Sequence, residues 1–126
     1  MNHYAESNLL EIVEKILDLN AAMRFVAIID LKGNILEAIM KEKKTSLETQ
    51  KQQEKFCKDS AKARLMREYY DGSLGKTRYA HIERENVTQI YLYSQKSTIF
   101  VTMEPEISID KKMSIITKIK KISSNL

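Results

Sequence analysis

The chain has 126 residues, 43% hydrophobic and 30% charged, with a formal net charge of +4. That length predicts one domain over residues 1–126, large enough to bury a core without a metal or disulfide staple. The lone cysteine, Cys57, excludes an internal disulfide, and no Cys/His spacing suits a metal ion. The N-terminal stretch lacks a basic leader, and Glu6, Glu11, Glu14 and Asp18 interrupt its apolar residues. It therefore reads as neither signal peptide nor membrane span, and a reducing cytoplasm is the expected compartment.

Charge is uneven along the chain. Residues 1–40 carry three basic and six acidic side chains, whereas residues 41–84 carry twelve basic and seven acidic ones. A basic middle suits nucleic acid or an acidic membrane, but a lysine-rich solvated helix gives the same count. The interleaved acids favour the solvated helix, so neither membrane nor nucleic acid is the expected partner.

Apolar residues from Leu9 to Leu19 recur at helical spacing and predict a helix over Asn8–Asn20, with Asn8 and Glu11 as a capping box and Ser7 as a rival cap. Arg24–Asp30 is a nearly continuous apolar run, expected as a central strand covered on both faces. A turn at Leu31–Asn34, where Gly33 and Asn34 tolerate positive φ, leads into a second strand over Ile35–Met40. After a charged loop, Thr45 and Glu48 form another capping-box pattern, and good helix formers continue to about Tyr70. The first half of this long helix is polar and expected to face solvent. Its second half is expected to dock through Phe56, Ala63, Met66 and Tyr70, flanked by Cys57, Ala61 and Leu65, with Gly72 ending it.

Three β-rich runs follow, TRYAHIER, VTQIYLYS and STIFVTM, broken at Glu85-Asn86 and Gln95-Lys96. Breaks this short permit only hairpins, so the runs predict an antiparallel meander. Pro105 closes the last strand. Ser108 or Asp110 then caps a helix over Asp110–Ser123, whose buried stripe is Met113, Ile116, Ile119 and Ile122, with lysines including Lys112 on the other side. The fold class is α+β: one five-stranded antiparallel sheet flanked by helices, in the order α-β-β-α-β-β-β-α.

This succession resembles the roadblock / dynein light chain domain family over nearly the whole chain. FVAIIDLKGNIL is similar to that family's first hairpin, although profilin-like and PAS-like sensors share such a motif. The resemblance implies a homodimeric interaction module with a protein partner such as a small GTPase. The segment KTRYAHIERENVTQIYLY, with TIFVTMEPE after it, also resembles short archaeal proteins.

Three groups of residues are candidates for function. The half-apolar long helix and an edge strand need covering, which a second copy would supply through Phe56, Leu65, Met66 and Tyr69. In the meander, the simplest register buries Ala80, Ile82, Ile90 and Leu92 and gathers Tyr79, His81, Tyr91 and Tyr93 on the other face. These four would form a small-molecule pocket, or would simply be covered by the long helix. Lys51, Lys55, Lys58 and Lys62 form a basic stripe that could follow phosphates, though Glu48, Glu54 and Asp59 offer internal pairing. Lysines near Cys57 would favour its thiolate, against a half-buried structural role. DGSLGK lacks phosphate-loop spacing, yet Gly75-Lys76 could touch an anion. No catalytic set is present, so no cofactor and no enzymatic activity are expected.

Overall fold

The computed structural model describes residues 6–41, 44 and 46–126. Helix α1 (Glu6–Leu17) leads into strands β1 (Met23–Asp30) and β2 (Ile35–Met40). Helices α2 (Gln50–Glu68) and α3 (Asp71–Leu74) follow, then strands β3 (Tyr79–Glu83), β4 (Thr88–Tyr93) and β5 (Ser97–Met103), and helix α4 (Ile109–Ile122). The five strands form one antiparallel sheet in the order β2-β1-β5-β4-β3. The expected fold class is therefore the observed one. Both the hairpin and the meander are present, and β5 closes the sheet by pairing with β1.

Each face of the sheet carries its own core. Val26, Ile28, Ile90, Leu92, Ile99, Val101 and Met103 meet Leu9, Val13, Ile16 and Leu17 of α1 and Ile115, Ile116 and Ile119 of α4. Phe25, Ala27, Ile29, Tyr91 and Phe100 face the other way, with Cys57 of α2 among them. β1 and β5 are buried on both sides because both sides are covered, although β5 turns Thr98 and Thr102 toward α2 beside Phe100.

The helix ends depart from the sequence reading. α1 begins at Glu6, so Ser7 and Asn8 lie inside it and neither is its cap. Thr45 falls outside the described residues. α2 is instead capped by Thr49, whose Oγ1 accepts from the Gln52 amide while the Gln52 side chain accepts from the Thr49 amide. Gly72 does not end the helical stretch: it sits inside α3, and Gly75, at φ 82°, terminates that helix. In α4, capped by Ser108, Met113 is exposed and Lys112 buried, a rotation of the expected stripe.

The β1–β2 turn is tied by Asp30, whose carboxylate accepts from the Lys32 and Asn34 amides and from the Asn34 side chain. Gly33 occupies this turn at φ 87°, and a Cβ there would lie 2.7 Å from both the Cys57 carbonyl oxygen and the Lys58 Cα. Lys58 Nζ in turn donates to Asn34 Oδ1 at 2.6 Å. The turn thus presses backbone to backbone against α2. Gly33→Ala should cost about 2–4 kcal/mol, from positive-φ strain plus the clash. Gly72→Ala, in open space within a helix, should be neutral or slightly stabilising. Urea unfolding of the two variants checks this, and equal effects would remove the close-approach explanation.

Candidate functional site

Helix α2 lies across one face of the sheet with an unusual division of residues. Phe56 stacks on Tyr91 and Phe100, with ring centroids 6.2 and 5.2 Å away, and Cys57 is fully enclosed. Two turns further the sheet side is held by Arg64, only 7% exposed. Its Nη1 donates to the Ser97 carbonyl at 2.7 Å and to Thr98 Oγ1 at 3.0 Å, and its Nη2 donates to the Ser94 carbonyl. Nε reaches Glu68 at 3.4 Å, and the guanidinium lies 4.8 Å over the Tyr93 ring. Across the β4–β5 turn the Ser97 carbonyl already accepts from the Ser94 amide and hydroxyl, and the planar fork of the arginine adds a charged donor there while reaching the Ser94 carbonyl as well. Arg67 adds a bond to the Tyr93 hydroxyl.

With Arg64 on the inside, the apolar residues of the same turns lie outside. Leu65 is 69% exposed, Met66 72% and Tyr69 84%. Tyr70 and Leu74 extend this apolar surface, and the Tyr70 ring meets Tyr69 edge-on. The expected docking of Met66, Tyr70 and Leu65 onto the sheet is therefore overturned, because Arg64 takes that side. Of the four residues expected to cover a partner, Leu65, Met66 and Tyr69 are open and Phe56 is packed onto the sheet instead. Lys51, Lys55, Lys58 and Lys62 are all exposed, and their four-three-four spacing continues directly into Leu65 and Tyr69. Lys55 pairs with Asp59 at 2.9 Å.

The expected gathering of Tyr79, His81, Tyr91 and Tyr93 is contradicted by the register. Tyr79 lies opposite Leu92, His81 opposite Ile90 and Ala80 opposite Tyr91. Residues opposite one another share a face, so Tyr79 and His81 join the α1/α4 side while Tyr91 and Tyr93 join the α2 side. Burial pushes the Tyr91 hydroxyl up to about 12 and the Cys57 thiol up to about 11, with Glu48 adding to the latter. The neighbouring lysines do not activate Cys57, whose surroundings are those of a packed thiol. A cleft does open between the sheet and the first half of α2, but Phe25, Met40, Leu47, Phe56 and Phe100 line it, not those tyrosines.

His81 belongs to a polar cluster that composition did not reveal. Its Nε2 lies 2.7 Å from Glu83 Oε1, which also accepts from buried Lys112 at 2.6 Å, while Thr88 donates to Glu83 Oε2 at 2.8 Å. Lys112 also donates to the Pro105 carbonyl. Thr88 is Glu83's neighbour across the β3–β4 pair, so strand register and α4 together assemble the group. No group of three metal-ligating side chains occurs among the described residues, nor any helix long and apolar enough to cross a membrane.

Two outcomes follow from these contacts. Arg64→Leu should cost about 2–4 kcal/mol in urea unfolding, since the Ser94 and Ser97 carbonyls and the Thr98 hydroxyl lose their charged donor, and Arg64→Lys should recover only part of it. Full recovery by lysine would refute the fork geometry. Burial alone would raise the Glu83 carboxyl, but hydrogen bonds from Lys112, His81 and Thr88 outweigh it and hold it down to about 2. The unfolded carboxyl takes its proton first, near 4.5, so Glu83 stabilises the fold above that pH and the contribution fades as pH falls toward 2. Glu83→Gln should accordingly flatten the urea midpoint's dependence on pH across that window, and an unaltered dependence would discount the cluster.

Comparison with known proteins agrees with this architecture. No curated protein matches the chain. Among solved structures, MglB of Myxococcus xanthus is 9% identical, with a TM-score of 0.76 over 98% of this chain and 90% of that one. The gliding protein MglB of Thermus thermophilus is 12% identical, with a TM-score of 0.74 over 100% of this chain and 96% of that one. A Roadblock/LC7 domain from Streptomyces avermitilis is 6% identical, with a TM-score of 0.67 over 90% of this chain and 91% of that one. At such identities the likeness is one of fold, and the fold is roadblock-like. Residues 6–125 match the model of DUF6659, a family of unknown function, and to that family the chain belongs.

Proposed function

We propose that this chain is a non-enzymatic regulatory or scaffold module that works as a homodimer, paired through the exposed face of α2 and the free edge of β3. The observation that carries this is the inverted helix: α2 turns Arg64 inward and leaves Leu65, Met66 and Tyr69 in water. An apolar cluster of that kind on a folded surface marks an interface more often than a solvated face. β3 is an end strand of the sheet, with one neighbour only, and its α2-side residues Ala80 and Ile82 are half-buried. A two-fold pairing would cover helix and edge together, because each surface meets its own copy. One structure with this fold is described as MglB with a tetrameric arrangement, so self-association has a precedent within the fold. On this reading the dimer is a platform, and the roadblock resemblance suggests a protein partner such as a small GTPase. The small-molecule alternative loses its basis in the tyrosine-histidine pocket, since the sheet separates those residues.

Light scattering should give twice the chain mass over a range of protein concentrations and salt. Leu65→Glu or Met66→Glu should yield a monomer with an unchanged circular dichroism spectrum, because neither side chain supports the core. A wild-type monomer, or a dimer that survives both changes, would refute the pairing.

A further inference from the structure

A cleft at the end of the molecule is lined by Arg64 and Glu68 of α2, Asp71 of α3, Lys76, Thr77 and Arg78 before β3, Tyr93, Ser94 and Gln95 at the β4–β5 turn, and Lys120 of α4. It holds about 1120 Å³ of space counted out to solvent, and a second hollow beside it shares Arg78, Tyr93, Ser94, Gln95 and Lys120. The charges do not cancel. Arg64 and Glu68 neutralise each other, whereas Lys76, Arg78 and Lys120 form no ion pair among the described residues, leaving three cations facing only Asp71. Two separate segments, the stretch before β3 and helix α4, bring this excess together, so it is no single helix face. Neutral donors share the lining: the Thr77 hydroxyl, the Gln95 amide and the Tyr93 hydroxyl, which accepts from Arg67 and so has its own hydrogen to give. Gly75, at φ 82°, sets the turn that delivers Lys76 to the rim.

We propose that this cleft binds a small polyanion carrying two or more phosphoryl groups. A concave wall concentrates the potential of its cations, and arginine and lysine beside neutral donors match the several acceptor oxygens of a phosphoryl group. The assignment does not rest on the pairing proposed above.

The test is titration of the full chain with sodium pyrophosphate at roughly 50 mM salt, followed by amide NMR shifts and calorimetry, with molar mass measured alongside. Saturable shifts at Lys76, Thr77, Arg78, Ser94 and Gln95 are expected. Affinity should fall about tenfold or more in Arg78→Gln and in Lys120→Gln, both exposed side chains whose loss leaves the core intact. The double variant Lys51→Gln/Lys62→Gln removes charge from α2 outside the cleft and should leave affinity unchanged. Absence of saturation, or an equal loss in that control, would overturn the site and leave general attraction to a basic protein.

Discussion

The position of α2 depends on a buried charge. Arg64 binds the ends of β4 and β5 through the carbonyls of Ser94 and Ser97, and no apolar side chain at that position could make those bonds. An unpaired arginine on the sheet side would be costly, so the helix is held at the rotation where each guanidinium nitrogen finds a partner. Near its middle, at Cys57 and Lys58, α2 is fixed by backbone contact with Gly33, which tolerates no Cβ. Two fixed points along a helix determine its axis and its rotation. Everything presented on the outer face follows from them.

Much of this fold was legible in the sequence, and the errors have a common source. Hairpin and meander were readable because Gly33, Asn34, Asn86 and Lys96 punctuate β-rich runs, a local signal. Strand parity in the meander was not local. Ile90 and Leu92 are fully buried, but so are Tyr91 and Gln89, because α2 covers one face and α4 the other. With both faces dry, alternation no longer says which residues of β3 stand beside which of β4, and a slip of one exchanges the faces. The tyrosine-histidine pocket was a product of that slip. The Glu83, His81, Lys112 and Thr88 cluster was missed for the same reason, since it needs the true register and a lysine turned inward from α4.

The rotation of α2 was hidden by a different effect. Apolar count predicts that Met66 and Leu65 dock and that arginine faces water, as most amphipathic helices arrange them. Here the side chain with most hydrogen-bonding demand decides. The one available signal was the weak contrast along the helix itself: Leu65, Met66 and Tyr69 share a stripe with four lysines, which no solvent-facing or core-facing helix would choose.

That stripe gives the helix two characters on one face. Its first half presents Lys51, Lys55, Lys58 and Lys62, and its second half presents Leu65, Met66 and Tyr69. Lysine heads are strongly hydrated, and burying four of them against their own copies would be repulsive as well as costly in desolvation. The apolar half carries no such penalty. Self-association along this face, as proposed above, would therefore be confined to the C-terminal turns, and the lysine half would remain outside the seam. A dimer formed this way would leave two basic helix segments exposed. In such a pair the surface that closes it and the surface left for other molecules would be successive turns of one helix, separated by the charge pattern alone.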